Sequence, residues 1–288
     1  MIVILGHTGF IGGHLYQYFS QAGRQVAGLS SRECDLTQPG RVREWFAQRE
    51  APFDLIHCAV INRDRCQGYP SFLSNCQMLQ NVLGAIPAGR CRSFVYLSSV
   101  DVYGSRPPCP ITENTLPAPE LYYGLAKLTC EHLLRLFPDK GFPSAVLRLP
   151  GVYGAHDDGR SLVGKLIRTV TDQQPVTLSG TGSILRDYVS IDDLALVIEA
   201  LLSRPLDAVI NVATGQSLSL LDIVSIIAEK VQCRPEIIFR PQDGPGADLI
   251  FDTSRFREVL PTVRLKPLQV GIEAYVAALA PSFRGNDA

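Results

Sequence analysis

Charge is scarce in this sequence. Only 19% of its 288 residues are Asp, Glu, Lys or Arg, and the formal net charge is −1. No basic block supplies the electrostatic footprint that nucleic acid or an anionic membrane requires, so neither is expected as a partner. Cysteine pairs at metal or redox spacing are missing too. The eight cysteines (34, 58, 66, 76, 91, 109, 130 and 233) include no C-x-x-C, and several sit in apolar runs such as "LIHCAV". They are expected as buried or incidental thiols of a reducing cytosol, not as a disulfide framework or zinc site. No His/Cys/Asp/Glu cluster has metal-ligand spacing. The start, "MIVILGHTGFIGG", lacks a basic leader, and its apolar run is too short for a signal or anchor. No later stretch reaches membrane length. The expectation is a soluble, cytoplasmic, globular protein, with 46% hydrophobic residues to build its core.

Short apolar runs alternate with longer amphipathic ones. "IVIL" (2–5), "QVAGL" (25–29), "FDLIH" (53–57), "SFVYLSS" (93–99) and "SAVLRL" (144–149) read as buried parallel strands. Helix-like stretches lie between them, near 10–22, 40–50, 70–86 and 119–136. This alternation predicts an α/β protein with a Rossmann-type doubly wound parallel sheet over residues 1–150. Prolines and glycines then punctuate shorter elements, including "GTGSILRDYVSI" (180–191), a helix near 192–203, "AVINVATG" (208–215), and helices near 219–232 and 267–279. Residues 151–288 read as a smaller C-terminal α/β substrate lobe, interleaved so that elements near 186–213 return to the first domain.

"GHTGFIG" places Gly6, Gly9 and Gly12 after the first strand and at the start of a helix. Glycines there allow a tight turn, close approach to a pyrophosphate and close helix-to-sheet packing, and the helix N-terminus faces the anion. Thr8, Phe10 and Ile11 belong to the same loop. The next strand runs into "GLSSRECDL". An NAD site usually has an acid at this point for the ribose 2′-hydroxyl, and Ser30 stands there instead. Ser30, its neighbour serine and Arg32 suit a 2′-phosphate, with Asp35 and Leu36 under the adenine. NADP(H) is therefore favoured over NAD(H). His7 and His14, beside the loop, look incidental. In "YYGLAK", Tyr123 and Lys127 are four apart and share a helix face, whereas Tyr122 is turned away. A phenol with a reference pKa of about 10 is a poor base at neutral pH, and a nearby ammonium favours its phenolate.

Taken with "VYLSSVDVYG", "PITENTLPAPELYYGLAKLTCEHLL", "LRLPGVYG", "LRDYVSIDDLA", "INVATGQSLSLLDIV" and "DTSRFREVL", these motifs resemble the extended short-chain dehydrogenase/reductase family, in its nucleotide-sugar epimerase/dehydratase/reductase branch. The resemblance spans nearly the whole chain. It implies that Tyr123 is the acid/base, Lys127 its assistant, and Ser99 the hydroxyl that holds the substrate oxygen, with Ser98 the strand residue before it. It further implies that Asn75 supports the cofactor pocket and that Arg186 binds the diphosphate of a nucleotide-linked sugar. Arg240 is a candidate for a second such arginine, although Asp248 sits nearer the expected place. Val100-Asp101 leaves one acid where dehydratases carry two. Val100 and Leu162 stand where the C3/C5-epimerising reductases have their Cys and His. The remaining chemistry is hydride transfer at one carbinol carbon: reduction of a 4-keto sugar, with C4 epimerisation using tightly bound NAD as the alternative. A non-catalytic NADP-sensing or RNA-binding relative is the alternative of another class. A homodimer through helices near 75–86 and 120–136 is a further implication of the resemblance.

Overall fold

A computed structural model describes residues 1–137, 141–155, 157, 159, 161–241 and 246–283. The chain divides into two compact units. One comprises Met1–Ser105, Leu116–Arg148 and Ala195–Asn211; the other comprises Arg106–Thr115, Leu149–Leu194 and Val212–Ala288.

The first unit follows the apolar runs closely. Strands β1 (Ile2–Leu5), β2 (Val26–Leu29), β3 (Phe53–His57), β4 (Cys91–Ser99) and β5 (Ser144–Leu149) alternate with helices α1 (Phe10–Gln21), α2 (Pro39–Ala47), α3 (Tyr69–Ala85) and α4 (Tyr122–Leu136). A later strand, β10 (Ala208–Asn211), joins them after helix α6 (Ile191–Ser203), giving a six-stranded sheet in the order β10-β5-β4-β3-β1-β2. β1 runs parallel to both neighbours, with Ile2 opposite Val26 on one side and Asp54 on the other. Every residue of β1, β3 and β5 is buried. Burial on both sheet faces explains why these strands are mostly apolar and lack the regular polar alternation of a half-exposed strand; Asp54, His57, Ser144 and Arg148 are their buried exceptions. Val3, Leu55, Phe53, Phe94, Leu79 and Leu134 are members of one continuous core.

Helix α4 begins at Tyr122 rather than near 119. Pro117 and Pro119 hold the segment before it extended, and the Ala118 amide donates to Val102 O at 2.9 Å instead of entering a helix. That carbonyl belongs to a short 3₁₀ turn, Val100–Tyr103, directly after β4.

The second unit is built from shorter pieces. Strand β6 (Gly151–Tyr153) pairs in parallel with β9 (Tyr188–Ser190), and β7 (Val176–Ser179) with β12 (Ile237–Arg240). Strand β8 (Leu185–Arg186) pairs antiparallel with β11 (Leu218–Ser219). Helices α5 (Leu162–Thr171), α7 (Leu220–Val231), α8 (Ser254–Val259) and α9 (Leu268–Phe283) complete it. Ser219 and Asp222 form a reciprocal capping box at the start of α7. Tyr153, Val163, Ile167, Ile223, Ile227 and Ile272 are members of its core.

Candidate active site

The glycine loop joins β1 to α1. Gly6 has φ +84, and a Cβ there would lie 2.8 Å from the Ala59 backbone; one on Gly12 would lie 2.3 Å from Gly6 O. Side chains are excluded at both positions, so the loop wraps tightly and the helix starts hard against it. No side chain caps the α1 N-terminus at Gly9, and no acid lies in its first turn. Uncapped amides at a helix N-terminus favour an anion. Thr8 and Gly9 are exposed and Phe10 and Ile11 half-buried, so the loop presents backbone to solvent. These residues fit the pyrophosphate of a dinucleotide. His7 is committed elsewhere: its ring lies over Gly28 of β2, 5.4 Å from Tyr16.

At the end of β2 an acid engages the serine. Ser30 is buried, and its donors are occupied: its amide donates to Glu33 Oε2 at 2.6 Å, and its hydroxyl donates to the same oxygen. Those bonds hold the Glu33 carboxyl below its usual range. The physical reason is the Ser-x-x-Glu spacing, a recognised capping signature in which the acid reaches back to the serine amide. Arg32 is exposed. Asp35 accepts from the Thr37 amide at 2.9 Å and hydroxyl at 2.8 Å, which pins the turn into α2. Leu36 is buried in the core, and its carbonyl accepts from Asn81 at 2.8 Å.

Helix α4 and the end of β4 bring together the other candidates. Tyr123 and Lys127 lie one turn apart, with Lys127 Nζ 5.7 Å from the Tyr123 ring centroid. Tyr122 is 42% exposed and packs towards Phe72 instead. Lys127 is 5% exposed; its ammonium donates to Leu97 O at 2.6 Å and sits 5.1 Å over the Tyr96 ring. Burial pushes it down to about 8, against opposing contributions from Cys130, Cys58 and Glu131. Tyr123 is half-buried, and its phenol is pushed well up by burial first and then by the Asp101 carboxylate. Ser99 caps the 3₁₀ turn, accepting from the Asp101 amide at 3.1 Å.

Beneath these groups lies a buried polar network that no single motif announces. Ser98 donates to Glu131, whose carboxylate receives Arg148 Nη2 at 2.7 Å. Arg148 Nη1 also donates to Tyr103 OH at 2.9 Å, and Tyr103 donates to Asn211 at 2.7 Å. Ser98 is thus tied into the frame. Asn75 accepts from the Ile61 amide at 2.8 Å and donates to the Ile61 carbonyl at 3.1 Å, which anchors the segment after β3. That segment carries Arg63, a residue the sequence motifs did not single out, whose Nη1 lies 3.7 Å from Asp101.

Arg186 lies in the second unit. Its Nη1 donates to Leu185 O at 2.8 Å and Ala247 O at 2.7 Å, while the neighbouring Asp187 is taken by Thr214 and Gly215. Arg240 is exposed on β12. Asp248 accepts from the Leu185 amide at 2.8 Å. All eight cysteines are free thiols. Among the described residues there is no cluster able to hold a metal ion, and no helix is long and apolar enough to cross a membrane.

A family model described as the NAD dependent epimerase/dehydratase family matches residues 2–213. Among curated relatives, an uncharacterized UDP-glucose epimerase of Bacillus subtilis (strain 168), YtcB, is 28% identical over 222 residues, spanning 76% of this chain and 70% of its own. GDP-6-deoxy-D-mannose reductase of Pseudomonas aeruginosa is 27% identical over 260 residues, spanning 83% of each chain. Among solved structures, UDP-glucose 4-epimerase of Thermotoga maritima with UDP-glucose matches at a TM-score of 0.89 and 21% identity, over 98% of this chain and 99% of that one. At that identity the likeness is one of fold. The parallel sheet, the glycine loop after its first strand and the family match agree, and this chain belongs to the NAD-dependent epimerase/dehydratase family, within the extended short-chain dehydrogenases/reductases.

Proposed function

We propose that this enzyme reduces a 4-keto group on a nucleotide-linked sugar, using a nicotinamide dinucleotide with NADP(H) favoured. One observation carries the reading. Lys127 stands one helical turn from Tyr123 with its ammonium 5.7 Å from the phenol ring centroid, so a transferable proton and the charge that steadies its loss lie together, which is what carbonyl reduction needs. When bound, the nicotinamide supplies the hydride to the carbonyl carbon. Ser99 donates a hydrogen bond to the carbonyl oxygen, and Tyr123 gives that oxygen its proton. Lys127 stabilises the phenolate left behind. Arg32, exposed after β2, pairs with the 2′-phosphate, and Arg186 with the substrate diphosphate. In this reading residues 1–150 form the dinucleotide-binding domain, rejoined within the range near 186–213 by Ala195–Asn211, and 151–288 otherwise the substrate lobe. Tyr69, Leu73, Tyr122 and Leu125, exposed on α3 and α4, support a homodimer through that helix pair.

C4 epimerisation with tightly bound NAD is the second reading, favoured by the likeness to the Bacillus subtilis epimerase. The test incubates purified enzyme with nucleotide-linked 4-keto hexoses and nucleotide hexoses, following reduced cofactor and product stereochemistry together. Stoichiometric NADPH oxidation supports reduction. Interconversion of C4 epimers without net cofactor consumption replaces it with the second reading. Tyr123→Phe should lower kcat about 10²–10⁴-fold with cofactor affinity retained, while Tyr122→Phe stays near the parent.

A further inference from the structure

We propose that Arg63 and Asp101 form a charge pair that sets how tightly Tyr123 holds its proton, as positioning residues for the reaction; this rests on the role given to Tyr123 above. Asp101 is fixed on two sides. Its amide donates to Ser99 Oγ at 3.1 Å, and its carbonyl abuts the first turn of α4. A Cβ on Gly124 would lie 2.5 Å from that carbonyl oxygen, so the residue after Tyr123 must be small for Asp101 to approach. Asp101 therefore cannot drift from the two groups nearest the chemistry. Its side chain is 24% exposed, enough for screening to weaken its field without removing it.

Arg63 comes from the segment after β3 and is 60% exposed. The segment is held by Asn75 on both polar groups of Ile61, and by the Cys66 amide donating to Asn62 O at 2.8 Å. With its base anchored, the guanidinium reaches Asp101 at 3.7 Å, a contact too long for a hydrogen bond but close enough for charge. The two act on Tyr123 with opposite sign: Asp101 disfavours the phenolate and Arg63 favours it. Cys66 from the same segment, Tyr96 of β4 and Lys127 of α4 are the other titratable groups about that phenol. A carboxylate alone would leave the phenol reluctant to release its proton. A partner of opposite charge tempers it, and the balance decides whether Tyr123 gives or takes a proton at a given pH.

An Asp101 that served the 3₁₀ turn only through its backbone amide would not move the ionisation of Tyr123, and that separates the two accounts. The experiment places 3,5-difluorotyrosine at position 123, whose fluorines bring the phenol's ionisation into a range the fold tolerates. Fluorine NMR then follows the titration without substrate. Asp101→Asn should lower the midpoint by about half to one pH unit and Arg63→Gln should raise it by a similar amount. Added salt should shrink the Arg63 effect. Midpoints that stay put, move in the same direction in both variants, or never appear before the fold opens overturn the proposal. If Asp101→Asn fails to fold, Arg63→Gln and Arg63→Glu decide it alone, with the glutamate variant raising the midpoint further. Because the titration uses no substrate, an enzyme that turns over none of the nucleotide sugars tried leaves this result standing and removes only the proposed function.

Discussion

His57 offers a measurement of what burial costs in this fold. The residue ends β3 with both ring nitrogens lacking a hydrogen-bond partner among the described residues, its ring 6.3 Å from Phe94 and 5.6 Å from Tyr96. Burial, helped by the Lys127 charge, pushes it from 6.5 down to about 3. Between those values the folded protein binds fewer protons than the unfolded chain. The contribution to stability is therefore complete above pH 6.5 and is lost as pH falls towards 3. At about 1.4 kcal/mol for each pH unit, the whole gap is worth about 5 kcal/mol, and about 2.5 kcal/mol of it is lost between about pH 7 and about pH 4.5. His57→Leu, close in volume, removes the titrating group. Urea unfolding of both apo proteins at the two pH values gives four free energies, in which the other ionisable groups largely cancel. The variant should gain about 2.5 kcal/mol on the parent on going to the acid condition. A difference that stays constant to within about 0.5 kcal/mol would refute the argument, because it would mean that His57 reaches solvent or a partner in the folded state.

Arg32→Ala should weaken NADP(H) binding at least about tenfold and NAD(H) binding little, measured by titrating both cofactors against both proteins. Arg186→Ala should raise KM for a nucleotide sugar without loosening the cofactor; because its guanidinium also ties Leu185 to Ala247, the melting temperature should fall by a few degrees as well. Gly271→Ala should cost about 1–3 kcal/mol, since its Cβ would lie 1.7 Å from the Tyr153 hydroxyl, and Tyr153→Phe in the same chain should recover part of that loss in chemical unfolding.

The doubly wound sheet was legible because its strands are buried on both faces. "IVIL", "FDLIH" and "SAVLRL" became β1, β3 and β5 with the boundaries their apolar runs suggest. The second unit resisted reading because its strands have two to four residues and pair at long range, as Leu218 does with Arg186. No local period announces such a pairing. The nearness of Tyr123 to Lys127 followed from helical spacing alone. Glu33 was within reach of the sequence too, since Ser30 and Glu33 carry the capping spacing, but the strand-end serine was read for its hydroxyl before its amide was accounted for. Arg63 was not legible. It meets Asp101 only because β3 and β4 are neighbours and because Asn75, on a helix beyond, fixes the segment between them.

Strand β10 closes the free side of β5, yet it is made from residues 208–211, well after β5 ends at Leu149. A ribosome adds about 5–20 residues per second, so roughly 3–12 s separate the emergence of the two. For that interval the nascent chain holds its first five strands with "SAVLRL" as an unfilled margin, apolar and rich in unpaired backbone groups. Ser144, whose amide and hydroxyl both donate to Asp207, is in the same position, waiting for a partner delivered just before the strand that completes the sheet. Synthesis of this protein thus passes through a stage with an open sheet margin, and a pause in translation between these two strands prolongs it.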